Sequence, residues 1–552
     1  MSARTILGIS FLLITSLWAM KAFMHPGFYT SHDGWHQVAR LYHWNQAVID
    51  GQIPPRWSSG LYNGFGYPLF IFSYHLPWWL ASPLVQSGVS IFDSIKIVFI
   101  VTYVVSGITM YLYARDLWGN WGGLVSAFIY LFTPYRFANI FVRANIGEAV
   151  SFVFIPLVFW AIYRLRIKLS AVMIAFGAIG IGGFMLSHVM VAFLFFVPFI
   201  LTFSSYLFVP PGGVRRYKRK FILALVLIGV LGIGLAAYYL IPAIGYKSIT
   251  VFNNLYHDLY KEHFTSLSKL LYSPWGYGAI KTDGEMSRQV GLVIWGILMF
   301  STGSITYQII KKRSINLNLL IQLTFLLSSI FAIFMMLPQS GEVWKLIAGL
   351  AIVDFPWRFL SVTTFCGAIL AGGLIKVTSS QLIKKIMVII LILGAIVTNR
   401  NHLRVNQYTD IPLSLYIDSE ITTNTDDEYL PVWVNRNYAK TERKEFISSH
   451  INSSQFKQLS NVIEFSYTSP KDSKEGINQM YFPGWVYYSD GVKQALNKDS
   501  WGAIVIPVFA GFHKAKLVFE QTSVMRYGEY ISIVCIFITM LLIIRRKGAN
   551  RA

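Results

Sequence analysis

Residues 289–337 read QVGLVIWGILMFSTGSITYQIIKKRSINLNLLIQLTFLLSSIFAIFMML, which is two uncharged apolar runs separated by a basic break at Lys311–Lys312–Arg313. About 20 apolar residues, at a helical rise of 1.5 Å per residue, cross a hydrocarbon core of ~30 Å. Lysine and arginine collect in the cytoplasmic loops of membrane proteins. The stretch therefore predicts two antiparallel transmembrane helices joined on the cytoplasmic side.

The composition of the whole chain points to the same class of protein. Of its 552 residues, 54% are hydrophobic and only 13% are charged, whereas soluble domains carry about 25% charged residues. Aromatic residues make up 16%, too many for a disordered chain. We predict a polytopic α-helical membrane protein with twelve spans, at about residues 5–24, 94–114, 119–133, 148–163, 169–186, 188–208, 221–244, 289–309, 317–337, 359–376, 384–398 and 529–544.

The basic residues collect in alternate connections between these spans. The cytoplasmic set has 20 basic residues and one acid, Asp116, and it accounts for most of the net charge of +21. The excess is therefore a topological signal and gives no reason to expect a nucleic-acid partner. The basic positions are Arg4, Arg115, Arg164, Arg166, Lys168, Arg215, Arg216, Lys218, Arg219, Lys220, Lys311, Lys312, Arg313, Lys376, Lys384, Lys385, Arg545, Arg546, Lys547 and Arg551.

This sidedness predicts a multi-pass cell-membrane protein with both termini in the cytoplasm. The first span is expected to be a retained signal anchor, since no small-x-small cleavage site follows it. The apolar run at 68–86 must then remain on one side. Its three prolines (Pro68, Pro77 and Pro83) favour an interfacial or re-entrant segment over a regular span.

The remaining segments are predicted to face outward. The largest, residues 399–528, alternates apolar and polar residues between turn signals such as Pro483–Gly484 and Asp490–Gly491, which predicts a β-rich domain. The expected organisation is a membrane domain over 1–398, this external domain over 399–528, and a final span with a cytoplasmic tail over 529–552. The two cysteines, Cys366 and Cys535, fall in predicted spans, so the outward segments contain no disulfide.

The first external segment, residues 25–93, is the most informative of them. Asp33 precedes a predicted surface helix over 33–50, whose mostly apolar face would lie on the membrane. That face consists of Trp35, Val38, Ala39, Tyr42, Gln46 and Ile49. A polar face follows i, i+3, i+7 and i+10 spacing. Its members are Asp33, His36, Arg40 and His43.

Asp33 has two alternative interpretations at this point. Aspartate is a common helix N-cap, so its role is structural in that case. His32, Asp33 and His36 are also possible ligands of a divalent metal, although they lack a fourth ligand. The residues alone leave both alternatives open.

Two further external strings carry arginines that suit a phosphate group. Arg143 and Glu148 lie at the outer end of a predicted span, where the alternative is an interfacial arginine and an acid at a helix N-terminus. Asp354 and Arg358, four residues apart, have the alternative of a local ion pair. His188, at an outer turn, has a structural alternative as well. No charged residue lies near the middle of a predicted span, which disfavours an ion-coupled transporter.

Five strings together resemble a known group of proteins. They are residues 60–68 (GLYNGFGYP), 143–148 (RANIGE), 187–188 (SH), 355–359 (FPWRF) and 481–485 (YFPGW). The chain resembles the GT-C superfamily of membrane glycosyltransferases and, more narrowly, is similar to the bacterial and archaeal membrane proteins called 6-pyruvoyl-tetrahydropterin-synthase-related. That label implies no pterin chemistry, since the spans exclude a soluble zinc synthase fold.

The resemblance implies an enzyme that transfers a sugar from a polyprenyl-phosphate donor to an acceptor outside the cytoplasm, which is a glycan, a lipid or a protein of the cell envelope. Asp33 matches the acid that acts as base on the acceptor in such enzymes. Many members carry a second acid beside it, where this chain has His32 and Gly34.

On this hypothesis a single displacement inverts the sugar, with Asp33 as the base and His36 tuning it. Arg40, Arg143 and Arg358 hold the donor phosphate, and His32, Glu148, His188 and Asp354 support the site. The hypothesis specifies no cofactor, and a divalent metal is the open alternative. The competing functions are a lipid or polysaccharide transporter or flippase, and a non-catalytic membrane scaffold whose β domain binds glycan.

Overall fold

The structure, a computed structural model, describes residues 3–208, 215–255, 259–312, 316–418, 422–424, 426–437 and 452–544. Among these, seven helices are long and apolar enough to cross a membrane, or eight if one bent pair counts as a span. The predicted helical membrane architecture is thus confirmed, while the number of twelve spans stays a prediction. Of the basic residues behind the predicted sidedness, Arg313, Arg545, Arg546, Lys547 and Arg551 lie outside the described residues, and the sidedness stays a prediction.

The helices of the membrane part follow the predicted order. The spanning candidates include α5 (Ile91–Leu131), α7 (Ile146–Ile167), α15 (Leu292–Lys312), α16 (Leu317–Met336), α18 (Leu360–Val377), α19 (Gln381–Asn399) and α21 (Ser523–Ile544). Shorter apolar helices are α1 (Ala3–Ala19), α8 (Ala171–Ser187) and α10 (Phe196–Phe208). The helix α18 lies at the centre, packed against α5, α15 and α16, whereas α19 and α21 are largely exposed on the outside.

Helix α5 contains two of the predicted spans, because it folds back on itself. Tyr103 Oη donates to the carbonyl of Leu131 at 2.9 Å, although 28 residues of straight helix would separate them by about 42 Å. The reversal occurs at Gly119, whose φ of 81° lies in the left-handed region. The sequence 94–133 therefore forms two antiparallel arms.

A second break lies between α11 (Arg215–Leu235) and α12 (Ala237–Lys247), where the axis of the bent pair, Tyr217–Leu235 and Ala237–Lys247, turns by 70°. Backbone N–H and C=O groups that lose their helical hydrogen bonds at such a bend need other hydrogen-bond partners inside a membrane. The Ser532 hydroxyl of α21 supplies one, since Tyr238 N donates to its Oγ at 2.9 Å and Oγ donates to the Gly234 carbonyl at 2.9 Å. The predicted span 221–244 is thus a broken helix held by the last helix of the chain.

The first external segment folds into a helical platform. It holds α2 (Gly34–Ile49), α3 (Leu69–Phe72) and α4 (Leu76–Gln86). At 11 residues, α4 is too short to span a membrane, in keeping with the prediction that the run at 68–86 does not cross. The remaining short helices are α6 (Pro134–Phe137), α9 (Val189–Leu194), α13 (Phe252–Leu255), α14 (Leu267–Leu271), α17 (Gly341–Leu346) and α20 (Leu413–Asp418), with 3-10 turns at Lys21–Met24, Leu259–His263, Pro338–Ser340, Ala348–Val353 and Pro356–Phe359 and a π-helical turn at Ala138–Arg143.

The predicted faces of α2 are wrong in part. Val38 of the face expected on the membrane is buried within the protein, whereas Ile49 of the same face is 62% exposed. The buried side also includes Leu41, Trp44 and His43, the last of which was expected on the polar face. The reason is that α4, α5 and α20 pack around this helix from several sides, so it does not rest on a single flat surface.

The predicted β-rich character of the C-terminal segment is confirmed. A two-stranded sheet joins β1 (Phe28–Tyr29) to β2 (Tyr408–Thr409). A five-stranded antiparallel sheet has the order β3-β4-β10-β6-β7 and a three-stranded sheet the order β5-β9-β8. Their bounds are β3 (Asn452–Gln458), β4 (Val462–Ser469), β5 (Ser473–Met480), β6 (Trp485–Ser489), β7 (Val492–Gln494), β8 (Asn497–Lys498), β9 (Ala503–Val508) and β10 (Gly511–Phe519).

Two of the five resemblance strings lie where the first external segment meets the β region. Trp57 packs between Phe519 and Trp485, with ring centroids 5.3 and 5.6 Å away. The Phe65 carbonyl accepts from Met480 N at 2.6 Å. In the 60–68 string, Gly66 has a φ of 86°, and a side chain there would collide with Trp57. These contacts give the strings at 60–68 and 481–485 a structural role in joining the two parts of the molecule.

Candidate active site

A cavity of about 620 Å³ lies where the first external segment, the ends of several membrane helices and the C-terminal segment meet. Its volume is in the range of ligand pockets, about 300–1,000 Å³. It collects polar residues that are far apart in the sequence. The predicted site residues in its wall are His32, Asp33, His36, Arg40, Arg143, His188, Asp354 and Arg358.

Asp33 stands at the start of α2, directly beside Arg143. The amide of Asp33 donates to the Arg143 carbonyl at 2.8 Å, and the amide of His32 donates to the Val142 carbonyl at 3.0 Å. The Asp33 side chain makes no cap to its own helix. Its Oδ2 instead accepts from Asn145 Nδ2 at 3.4 Å. The N-cap alternative is therefore wrong for the side chain, which points across to the next segment.

Asn145 links this arrangement to α7. Its Oδ1 caps that helix by accepting from Glu148 N at 2.9 Å, while Ala144 before it has a left-handed φ of 54°. Such backbone is costly for a residue with a side chain and persists where surrounding contacts fix it. The tight turn at Ala144 thus places Arg143, Asn145 and the carboxylate of Asp33 together.

Arg143 is buried rather than extended toward an interface. Its Nη1 donates to Glu148 Oε2 at 2.7 Å, and its guanidinium lies 4.7 Å from the ring centroid of Trp357. Glu148 is fully buried behind the cavity wall, where Tyr135 Oη donates to its Oε1 at 2.5 Å. Burial opposes the charge of Arg143, but Glu148 and Tyr135 together raise its pKa. The interfacial-arginine alternative is therefore wrong for Arg143, whereas Glu148 does lie in the first turn of α7, as that alternative expected, and supports Arg143 from there.

Asp354 and Arg358 are only loosely paired. Nη1 of Arg358 lies 3.9 Å from Asp354 Oδ2, while it donates to the Val353 carbonyl at 3.2 Å. Burial raises the pKa of Asp354 to about 6. A φ of 58° places Asp354 in the left-handed region. The two side chains therefore lie in the cavity wall without forming a tight ion pair, and each charge is only weakly compensated by the other.

The histidines differ in their positions. His32 Nε2 lies 2.8 Å from the Tyr277 carbonyl oxygen. Burial and the nearby Arg358 and Arg143 lower the pKa of His188 well below its usual value, so its ring is neutral at pH 7. In the part of the chain that the structure describes, no three His, Cys, Asp or Glu side chains form a group able to hold a metal ion. The alternative metal site at His32, Asp33 and His36 is therefore wrong within those residues.

Arg40 contacts a part of the wall that sequence reasoning missed. Its Nε and Nη2 donate to the Oγ1 and carbonyl of Thr423, at 3.1 and 2.6 Å. Thr423 belongs to a set of cavity residues after α20, which we call the C-terminal wall. It consists of Thr423, Asn424, Asp426, Glu428 and Tyr429. The sequence feature that could have indicated this wall is the run Asp426–Asp427–Glu428, which places three acids in succession in a chain with 26 acids in all.

The chain is similar to known proteins over part of its length. The 6-pyruvoyl-tetrahydropterin synthase related domain, described as a membrane protein, matches residues 72–403. An uncharacterized protein of Lactococcus lactis subsp. cremoris strain MG1363 is 24% identical over 282 residues, which cover 46% of this chain and 45% of that protein. The chain thus matches less than half the length of this curated relative.

Solved structures to which part of the chain is similar include those of two other proteins. The mycobacterial arabinofuranosyltransferase AftD matches at a TM-score of 0.45 and 12% identity, over 75% of this chain and 28% of its own. The oligosaccharyltransferase AglB of Archaeoglobus fulgidus, solved with an inhibitory peptide and a dolichol-phosphate, matches at a TM-score of 0.42 and 12% identity, over 74% of this chain and 57% of its own.

Proposed function

The chain belongs to the family of 6-pyruvoyl-tetrahydropterin synthase related membrane proteins, and we propose that it is a glycosyltransferase acting on a polyprenyl-phosphate-linked sugar at the outer membrane surface. The observation that carries the proposal is the fixed pairing of Asp33 with Arg143. Two main-chain hydrogen bonds hold the segments of these residues side by side in one cavity. A base and a cation are thereby positioned before any substrate arrives.

The proposed reaction is a single displacement. Asp33 accepts the proton of an acceptor hydroxyl while the acceptor oxygen bonds to the anomeric carbon. The bond from that carbon to the phosphate oxygen breaks, and its electron pair leaves with the polyprenyl phosphate. One carboxylate serving as base, with no covalent intermediate, inverts the configuration of the sugar.

The arginines supply the electrostatic part of this proposal. Negative charge grows on the phosphate as the sugar leaves, and fixed cations stabilise it. Arg143 and Arg358 both line the cavity, with Arg143 stacked over Trp357 and Arg358 over Phe355. In this scheme Arg143 and Arg358 bind the phosphate, because Arg40 already donates to Thr423 through two nitrogens.

The test is transfer by the purified full-length chain in lipid nanodiscs, with a polyprenyl-phosphate sugar as donor. We expect Asp33→Asn to lower kcat by about 10²–10⁴-fold, the usual contribution of a general base. Asp410→Asn removes the same charge from an exposed residue outside the cavity, and we expect it to behave as wild type. Unchanged transfer by Asp33→Asn would contradict the proposal.

A further inference from the structure

The C-terminal wall reaches the cavity through Arg40. The two hydrogen bonds from Arg40 to Thr423 join residues 383 positions apart. Next to this contact, Asn424 Nδ2 donates to Glu428 Oε1. Tyr429 stacks on Phe72 with 5.0 Å between ring centroids, and its amide donates to Tyr67 Oη at 2.9 Å. Both ends of the wall are therefore anchored on the first external segment.

Charged side chains of both signs line the cavity. Burial disfavours the charged form of Arg40, but Tyr74, Tyr429, Glu428 and Asp33 together raise its pKa. Arg40 thus lies within electrostatic reach of two carboxylates, those of Glu428 and Asp33. Asp354 and Arg358 line the same cavity.

Several polar atoms of the cavity lining have no hydrogen-bond partner among the residues that the structure describes. Two of them belong to the C-terminal wall, Glu428 Oε2 and Asn424 Oδ1, and both are buried. The other two are Arg358 Nε and Oδ1 of Asp354, a residue only 8% exposed. A buried polar atom without a partner destabilises the fold unless a ligand or water supplies one. These residues all line the same cavity.

The chemistry of these atoms selects the kind of group that binds them. Three of them are acceptors, so they need O–H or N–H donors. A phosphate at neutral pH offers acceptor oxygens and negative charge, which carboxylates repel. A sugar hydroxyl is both donor and acceptor, so it can donate to a carboxylate and accept from the neighbouring arginine at once.

We propose that Asn424 and Glu428, positioned by Arg40, form a sugar-recognition subsite that binds the hydroxyl groups of the sugar on the donor phosphate. This inference rests on the proposed function, because it assumes a phosphate-linked sugar in the same cavity. Glu428 Oε1 is held by Asn424, which leaves Oε2 for the ligand. The phosphate and the sugar then bind different walls, at Arg143 and Arg358 and at the C-terminal wall.

The experiment compares lipids that differ only in the sugar. Binding of undecaprenyl phosphate, and of the same lipid carrying glucose, galactose, mannose or arabinofuranose, is measured on the full chain in nanodiscs by native mass spectrometry. We expect wild type to bind at least one sugar-bearing lipid about tenfold or more tightly than the bare lipid, as hydrogen bonds to a charged group allow. Glu428→Gln and Asn424→Ala should each remove most of that preference, with the affinity for bare lipid within about twofold of wild type.

The chain offers a matched control beside the subsite. Asp427 lies next to Glu428 but outside the cavity wall, and its Oδ1 accepts from Thr422 Oγ1 at 2.9 Å. Asp427→Asn should therefore leave the sugar preference unchanged. The thermal midpoint of each variant shows whether it is folded, and two substitutions keep the test valid if one of them fails to fold.

The outcomes separate this inference from the proposed function. If the chain binds neither the bare nor any sugar-bearing lipid, the proposed function fails and the inference fails with it. If the bare lipid binds but no sugar adds affinity, or if the preference survives in a folded Glu428→Gln or Asn424→Ala variant, the subsite assignment is wrong while the phosphate site stands.

Discussion

Glu148 is an acid without access to solvent, and its two oxygens bond to Arg143 and Tyr135. Breaking a buried ion pair by removing one partner costs about 3–5 kcal/mol, because the remaining charge is uncompensated. We expect Glu148→Gln to lower the free energy of unfolding by about this amount. Chemical unfolding in detergent micelles measures it.

The double variant Arg143→Met/Glu148→Leu is the control for this residue pair. It removes both charges and keeps apolar volume, so it should recover most of the stability that Glu148→Gln loses. It should not recover transfer, since Arg143 is gone. A Glu148→Gln variant as stable as wild type would show that the pair is not the buried support described here.

Asp354 gives the site a pH-dependent stability. Burial raises its pKa from 3.8 to about 6, so the folded chain holds this proton more tightly than the unfolded chain does. The stabilisation is fully present below about pH 4 and is lost as the pH rises through about 6. At pH 8 the charged, buried Asp354 thus costs stability, up to about 3 kcal/mol for two pKa units.

Asp354→Asn tests this sign directly. The variant should match wild type near pH 4 and be the more stable of the two at pH 8, as thermal midpoints across that range would show. A wild type that gains stability over the variant as the pH rises would mean that Arg358 holds Asp354 charged.

At the scale of elements, the fold-back of α5 depends on one residue. Gly119 has a φ of 81° and nothing within 4 Å of where a side chain would start. With a ψ of 178° the residue lies in a backbone region essentially restricted to glycine, so an alanine there costs about 1–3 kcal/mol although no neighbouring atom obstructs it. We expect Gly119→Ala to lower the thermal midpoint accordingly.

Gly296 in α15 is the matched control for that substitution. It too has open space around it, but its φ is outside the left-handed region. Alanine is favoured over glycine in a helix by about 0.5–1 kcal/mol, so Gly296→Ala should raise stability or leave it unchanged. Equal effects of the two substitutions would contradict a reversal at Gly119.

Sequence periodicity predicted where the helices and strands lie more accurately than it predicted which residues pack against them. The helix expected over 33–50 forms at Gly34–Ile49, since its polar and apolar residues follow helical spacing. What packs against its apolar face was not predicted: the membrane was expected there, whereas Trp35 packs on Tyr416, 4.2 Å between ring centroids, from an element nearly 400 residues away. Local patterning contains no information about such a contact.

At the scale of the whole molecule, the same limit explains what was missed at the site. Arg143 and Arg358 could be selected because each lies at the outer end of a predicted span, and Asp33 because it precedes the predicted surface helix and matches the acid of the enzymes that the chain resembles. The C-terminal wall could not, because only the folded chain brings Thr423 to Arg40. The β-rich region was expected from its alternation, but its attachment through Trp57 was not.

The most direct measurement is a cryo-EM structure of the full chain in nanodiscs with bound polyprenyl phosphate. The central claim is that this cavity is the site of a phosphate-linked sugar. It predicts the phosphate within hydrogen-bond distance of Arg143 or Arg358, in the cavity that Asp33 lines, on the side of the membrane opposite the basic loop at Lys218–Arg219–Lys220. A phosphate bound outside this cavity, or on the same side as that loop, would contradict it.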